Sequence, residues 1–140
     1  MKNATRNPVV HFEVLGRDAR ALQKFYAEAF GWSVGTPDES PLQYSMVHHG
    51  EGGGIDGGIG KAPQGPGHVT FYVGVDDIAA TLQSIEKLGG KTVQPATPLP
   101  SGGAFAMFAD PEGHVVGLVG IPKKQEGPGQ RVPTPFRLPR

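Results

Sequence analysis

The sequence predicts an α+β fold of two βαβββ modules related by a pseudo-twofold, and three observations carry that prediction. An apolar, strand-like run opening on a histidine occurs twice, as His11-Phe12-Glu13-Val14-Leu15 and as His68-Val69-Thr70-Phe71-Tyr72-Val73. Each run leads into an acidic helix start, at Asp18 and at Asp76-Asp77, followed by an amphipathic segment that stops at glycine. The 22 glycines and 14 prolines fall in clusters between such segments, which marks them as turns rather than as general disorder. A chain that repeats itself over half its length contains two copies of one supersecondary unit. Whatever both first strands present is then expected to converge on one shared site.

The elements follow in order. Val9 to Leu15 alternates as a strand, with His11, Glu13 and Leu15 on one face and Phe12 and Val14 on the other. Asp18 is a suitable N-cap, and Leu22, Phe25, Tyr26, Ala29 and Phe30 recur at helical spacing up to Gly31. Trp32-Ser33-Val34 reads as a short strand, Thr36 to Pro41 as a loop, Gln43 to His49 as a third strand, and glycine-rich Gly54 to Gly60 as a weak fourth. Lys61 to Gly67 is the linker between modules. Module two repeats the order: strand His68 to Val75, helix Asp77 to Leu88 with Ile78, Leu82, Ile85 and Leu88 inward, and strand Lys91 to Val93. Pro98 to Gly103 forms a loop and Ala104 to Ala109 a strand. A turn at Asp110-Pro111-Glu112-Gly113 and a last strand from His114 to Val119 complete the module. The domain covers 1–121, with modules at 8–61 and 68–120. Residues 122–140 form an extended, proline-rich tail.

A chain of 140 residues with thirteen basic and thirteen acidic side chains carries no net field to attract nucleic acid or an anionic membrane. The absence of cysteine excludes disulfides, a thiolate nucleophile and sulfur-ligated metal. No run reaches the length of a membrane span. The polar start Met1-Lys2-Asn3-Ala4-Thr5-Arg6 leads us to expect no signal peptide and, by default, a cytoplasmic protein.

Three stretches carry a family likeness in the first module, namely His11-Phe12-Glu13-Val14, Arg20 to Tyr26, and Phe30-Gly31-Trp32. In the second module His68 to Val73, Val75-Asp76-Asp77-Ile78, Leu88-Gly89-Gly90 and Phe108 to His114 carry it. With these pieces the chain resembles the vicinal oxygen chelate superfamily, which includes glyoxalase I, extradiol dioxygenases, fosfomycin-modifying enzymes and bleomycin resistance proteins. It is similar in particular to its predicted lactoylglutathione-lyase-related branch. The resemblance implies a mixed sheet curled around a cleft. It further implies, in metal-using members, one ligand on the first and one on the last strand of each module. His11 and His68 match the first-strand positions, while Gly60 and Gly117 stand where carboxylates are expected.

Two imidazoles without a carboxylate rarely hold a catalytic divalent ion, so no cofactor is expected. The alternative is a divalent metal on His11 and His68 with Glu13 or Asp56 as substitute, and His48 or His49 as further donors. The glycines are expected to open the cleft and expose backbone to a ligand. Its lining would be His11, Glu13, Trp32, His68, Thr70, Tyr72, Phe105 and Met107, an apolar-aromatic surface with few polar groups. The expected function is small-molecule binding by a glyoxalase/bleomycin-resistance-like protein with a degenerate metal site. The competing reading is a metal-dependent lyase, isomerase or dioxygenase. A small-molecule ligand and a homodimer are expected, the latter with help from Val132, Phe136 and Leu138 of the tail.

Overall fold

The computed structural model describes residues 7–100 and 102–120. The proline-rich tail and its three apolar side chains lie outside them. The fold is α+β, with strands β1 (Val9–Gly16), β2 (Ser33–Val34), β3 (Ser45–His48), β4 (Gly57–Lys61), β5 (His68–Val75), β6 (Lys91–Pro98), β7 (Ala104–Ala109) and β8 (Val115–Gly120). Helix α1 (Ala19–Phe30) follows β1, and α2 (Ile78–Lys87) follows β5. The strand order is β2-β3-β4-β1-β5-β8-β7-β6. Pairing is parallel for β1 with β4 and for β5 with β8, and antiparallel for β2–β3, β3–β4, β6–β7 and β7–β8. Contacts divide the chain into two compact units, one of them Val10–Phe71 and the other built on the chain from Tyr72 onward.

In the first unit, Asp18 caps α1 by accepting the Ala21 amide at 3.0 Å, and Gly31 ends the helix in the left-handed region at φ 71°. The helix covers a core of Val14, Val47 and Ile59, with Phe12, Leu22, Tyr26, Trp32 and Val34 packed around it. Periodicity overstated this apolar face. Phe25 and Phe30 are 59% and 61% exposed, whereas Gln23 is buried. The reason is polar: the Gln23 side-chain amide donates to the carbonyls of Gln43 at 2.9 Å and Ile59 at 2.8 Å, fastening α1 to β4.

In the second unit Asp77 caps α2 through the Ala80 amide, and the core gathers Val75, Ile78, Leu82, Ala106 and Leu118. Leu88, expected to face inward, is 79% exposed because the helix ends at Lys87 and Leu88 is its C-cap. Strand β6 runs to Pro98 rather than stopping at Val93. Register shifts between Thr92 and Gln94 and between Gln94 and Thr97 accommodate Pro95, which cannot donate to a ladder. The Asp110 turn behaves as expected, its carboxylate accepting the amides of Glu112 and His114, both at 2.9 Å.

One core detail is testable. The Ser45 hydroxyl is fully buried beside Ile59 and, among the described residues, has no hydrogen-bond partner. Ser45→Ala removes that desolvated group at no cost in packing and should raise the urea-unfolding free energy by about 1 kcal/mol.

Candidate functional site

Alternation along β1 turns Phe12 and Val14 toward α1 and sends His11 and Glu13 to the opposite face. Both are buried, at 1% and 4% exposure. A buried carboxylate costs several kcal/mol, on the order of its desolvation, unless it is paired and hydrogen-bonded. Here the partners are present. The Tyr44 hydroxyl donates to Glu13 Oε1 at 3.1 Å, and His68 Nε2 lies 2.9 Å from Glu13 Oε2. His11 Nε2 lies 2.9 Å from the Tyr44 hydroxyl, with the two rings nearly parallel at 16°.

These distances describe a continuous chain, His11–Tyr44–Glu13–His68. Its polarity follows from proton counting. The Tyr44 proton goes to the carboxylate, so the bond from His11 must be donated by Nε2–H. Burial pushes the His11 pKa down to about 4, outweighing the opposing attraction of Glu13 and Asp56, so its imidazole is neutral at pH 7. The chain thus runs from a dry, uncharged end at His11 to a half-buried end at His68.

Tyr44 was not singled out by its sequence context, yet a signal exists. Gly58 and Gly60 alternate on one face of β4, and alternating glycines beside a neighbouring strand leave a trough for one large side chain. A Cβ on Gly58 would collide with the Tyr44 ring, and one on Gly60 would come within 2.9 Å of Tyr44 Cδ1. The second unit repeats the device: Gly117 stands between Tyr72 and Met107 in the sheet, and a Cβ there would strike the Tyr72 ring. The expectation that these glycines open bare backbone to a ligand is therefore corrected. Each is roofed by a tyrosine.

The internal equivalence is corrected too. Val9 and His68 open the two first strands, Gly16 and Val75 close them, and Asp18 and Asp77 cap the two helices. His11 therefore corresponds to Thr70, and Glu13 to Tyr72. Glu13 pairs with Gly58 as Tyr72 pairs with Gly117, so Gly58, not Gly60, is the counterpart of Gly117. His68 holds the place of Val9, one side-chain repeat earlier on the strand.

The other expected residues separate. Trp32 packs among Phe12, Tyr26 and Phe30 on the α1 side, stacked on Tyr26 at 5.6 Å, away from the face of His11 and Glu13. Asp56 is engaged elsewhere, with His48 Nδ1 at 3.1 Å and the His49 amide at 3.1 Å. Burial opposes its ionisation, but these bonds prevail and hold its carboxyl below the usual range. Thr70 is buried and belongs to the first unit, while in the second Tyr72 and Met107 are buried and Phe105 half-buried. Phe105 and Met107 alternate with Ala106 and Phe108, which pack toward the α2 core, so they face the other way.

Two outcomes are expected. Stability conferred by neutral His11 is complete above its unfolded pKa of 6.5 and declines as pH falls from there toward 4, by on the order of 3 kcal/mol. In urea titrations His11→Asn should flatten that limb and leave the carboxylate-driven loss at lower pH in place. Gly58→Ala should cost about 1–3 kcal/mol by displacing Tyr44. Combined with Tyr44→Ala the loss should be sub-additive, as a double-mutant cycle would measure.

A family model described as a glyoxalase-like domain matches residues 11–119. A glyoxylase-like domain-containing protein of Didymella fabae is 29% identical over 118 residues, covering 80% of this chain and 92% of that protein. The lactoylglutathione lyase of Haemophilus influenzae is 26% identical over 117 residues, covering 76% and 87%. CFP32 of Mycobacterium bovis, described as a glyoxylase, is 33% identical over 109 residues, covering 72% of this chain but only 41% of that protein. Among solved structures, the methylmalonyl-CoA epimerase from Mycobacterium tuberculosis shares the fold at a TM-score of 0.65 and 14% identity, covering 89% and 95%.

Proposed function

This chain belongs to the glyoxalase-like domain family, within the vicinal oxygen chelate superfamily, and we propose that it is a metal-independent small-molecule-binding protein with a degenerate metal site. The observation that carries the reading is the pairing of side chains described above. At the four strand positions that metal-using members employ, this chain has His11, Gly58, Thr70 and Gly117, which is one imidazole, one hydroxyl and no carboxylate. Tyrosine rings lie over both glycines. Among the described residues no group of three or more His, Asp or Glu side chains gathers to hold an ion. Glu13, the nearest substitute, already accepts from Tyr44 and His68. These residues do not fit the family's ion.

What they offer instead is recognition. Half-buried His68 supplies a polar group, with Thr70 on the same strand and Glu13 and His11 buried. In the second unit half-buried Phe105, with buried Tyr72 and Met107 on its face, makes an apolar-aromatic group that we also assign to ligand contact. A homodimer and a cytoplasmic setting complete this reading. No helix among the described residues is long and apolar enough to cross a membrane.

Protein purified without chelator or affinity tag should contain no stoichiometric nickel, zinc, manganese or iron. In a thermal-shift screen of metabolites that includes lactoylglutathione, the substrate named for two relatives, a bound ligand should stabilise the protein equally with and without divalent ions. At a hundred-fold excess over Kd the gain is about 2.7 kcal/mol. Stoichiometric metal lost in His68→Ala, or metal-dependent turnover abolished by His11→Ala, would instead establish the metal-dependent lyase, isomerase or dioxygenase reading.

A further inference from the structure

We propose that residues 132–140 of the same chain lie as a strap across the helix-free face of the second unit, over Tyr72, Phe105 and Met107, so that a small molecule must displace them to reach it. The proposal deepens the preceding reading and rests on it in one respect, that this face is where the second unit meets a ligand.

Strand register defines the face. Met107 pairs with Gly117, Phe105 with Val119 and Tyr72 with Gly117, so these residues point to one side of β5, β7 and β8. Val73, Ala106 and Leu118 point to the other side, where Ile78 and Leu82 of α2 complete the core. A sheet with helices on one face ordinarily leaves the other face to water. Here the second face is largely dry: Tyr72 is 3%, Val119 4% and Met107 9% exposed. Among the described residues α2 is the second unit's only helix, and it is spent on the opposite face. The Tyr72 ring shields Gly117 but is itself buried, so it is not the outermost layer.

Length and pattern name the occupant. Twenty residues follow Gly120, the last of β8. Residues 121–131 can bridge up to about 35 Å, against roughly 20 Å for a strand the length of β8, so the final segment can reach any part of the face. Pro133, Pro135 and Pro139 disfavour a helix or a further strand in the ladder and favour the three-residue turn of polyproline II. On that period Val132, Pro135 and Leu138 form one ridge, and Pro133, Phe136 and Pro139 the next. Thr134, Arg137 and Arg140 form the third. Two apolar ridges beside one polar ridge suit a segment with one side on an aromatic surface and the other in water. Proline-rich segments dock on such surfaces because little chain entropy remains to be lost.

A strap of this kind sets ligand affinity. A ligand for the face binds only the molecules in which the strap is off, and its apparent Kd rises by the inverse of that fraction. A strap in place about 90% of the time weakens binding about tenfold.

The chain has no cysteine, so Thr134→Cys, on the polar ridge, gives the full chain one site for a nitroxide label. The label should broaden the Met107 methyl and Gly117 amide NMR signals, and adding Phe136→Ser with Leu138→Ser should sharpen them again. The same two serine substitutions in the unlabelled chain should tighten binding of the apolar probe anilinonaphthalene sulfonate about tenfold. Absence of broadening overturns the strap, as does probe binding of equal affinity in the parent and the double variant. Broadening seen only between a labelled chain and a second, isotope-enriched chain assigns the cover to another copy's tail and overturns it too. If the signals broaden and the probe binds neither protein, the strap is supported and the small-molecule reading of this face fails.

Discussion

A phenol can stand between His11 and Glu13 only because the neighbouring strand has no side chain in its way. Gly58 pairs with Glu13 across the β1–β4 ladder, and the space above it is taken by the Tyr44 ring. Remove that allowance and Tyr44 must move. Glu13 would then lose one of its donors and His11 its acceptor, deep in a region where water cannot replace them. A small residue on one strand and a large one just ahead of the next thus decide whether a buried carboxylate is tolerable.

The repetition of this arrangement at Gly117 and Tyr72 shows what the two modules share and where they differ. In both, a glycine on the last strand lies beside a bulky residue. In the first unit the tyrosine immediately precedes β3 and bonds two ionisable partners. In the second it comes from β5 itself and occupies the position that Glu13 holds in β1. One scaffold has therefore kept the steric device in both copies, and placed the ionisable groups in only one.

Much of this fold was legible because its signals are local. Asp18 and Asp77 mark helix starts through side-chain acceptors, Gly31 marks a helix end, and Asp110 organises a turn from within four residues. The site was less legible because it depends on register. Matching His11 to His68 by residue type displaced the alignment by one side-chain repeat, since His68 opens its strand while His11 lies inside β1. Hydrogen-bond pairing, not spacing from a like residue, assigns Thr70 to His11. Trp32 was misplaced because a two-residue strand gives too little alternation to fix a face. Tyr44 and Gln23 went unnoticed because their partners, Glu13 and the Ile59 carbonyl, are distant in the chain.

The sheet's two outer strands, β2 and β6, bear on how the protein behaves when concentrated. An outermost strand offers unpaired amides and carbonyls to any other extended chain, and long regular ones template fibrils. Strand β2 has two residues, too few to seed a ladder. Strand β6 has eight, but Pro95 and Pro98 lack amide protons and two irregularities interrupt its line. Among the described residues the sheet thus ends on strands that are too short or too irregular to pair easily with a passing chain.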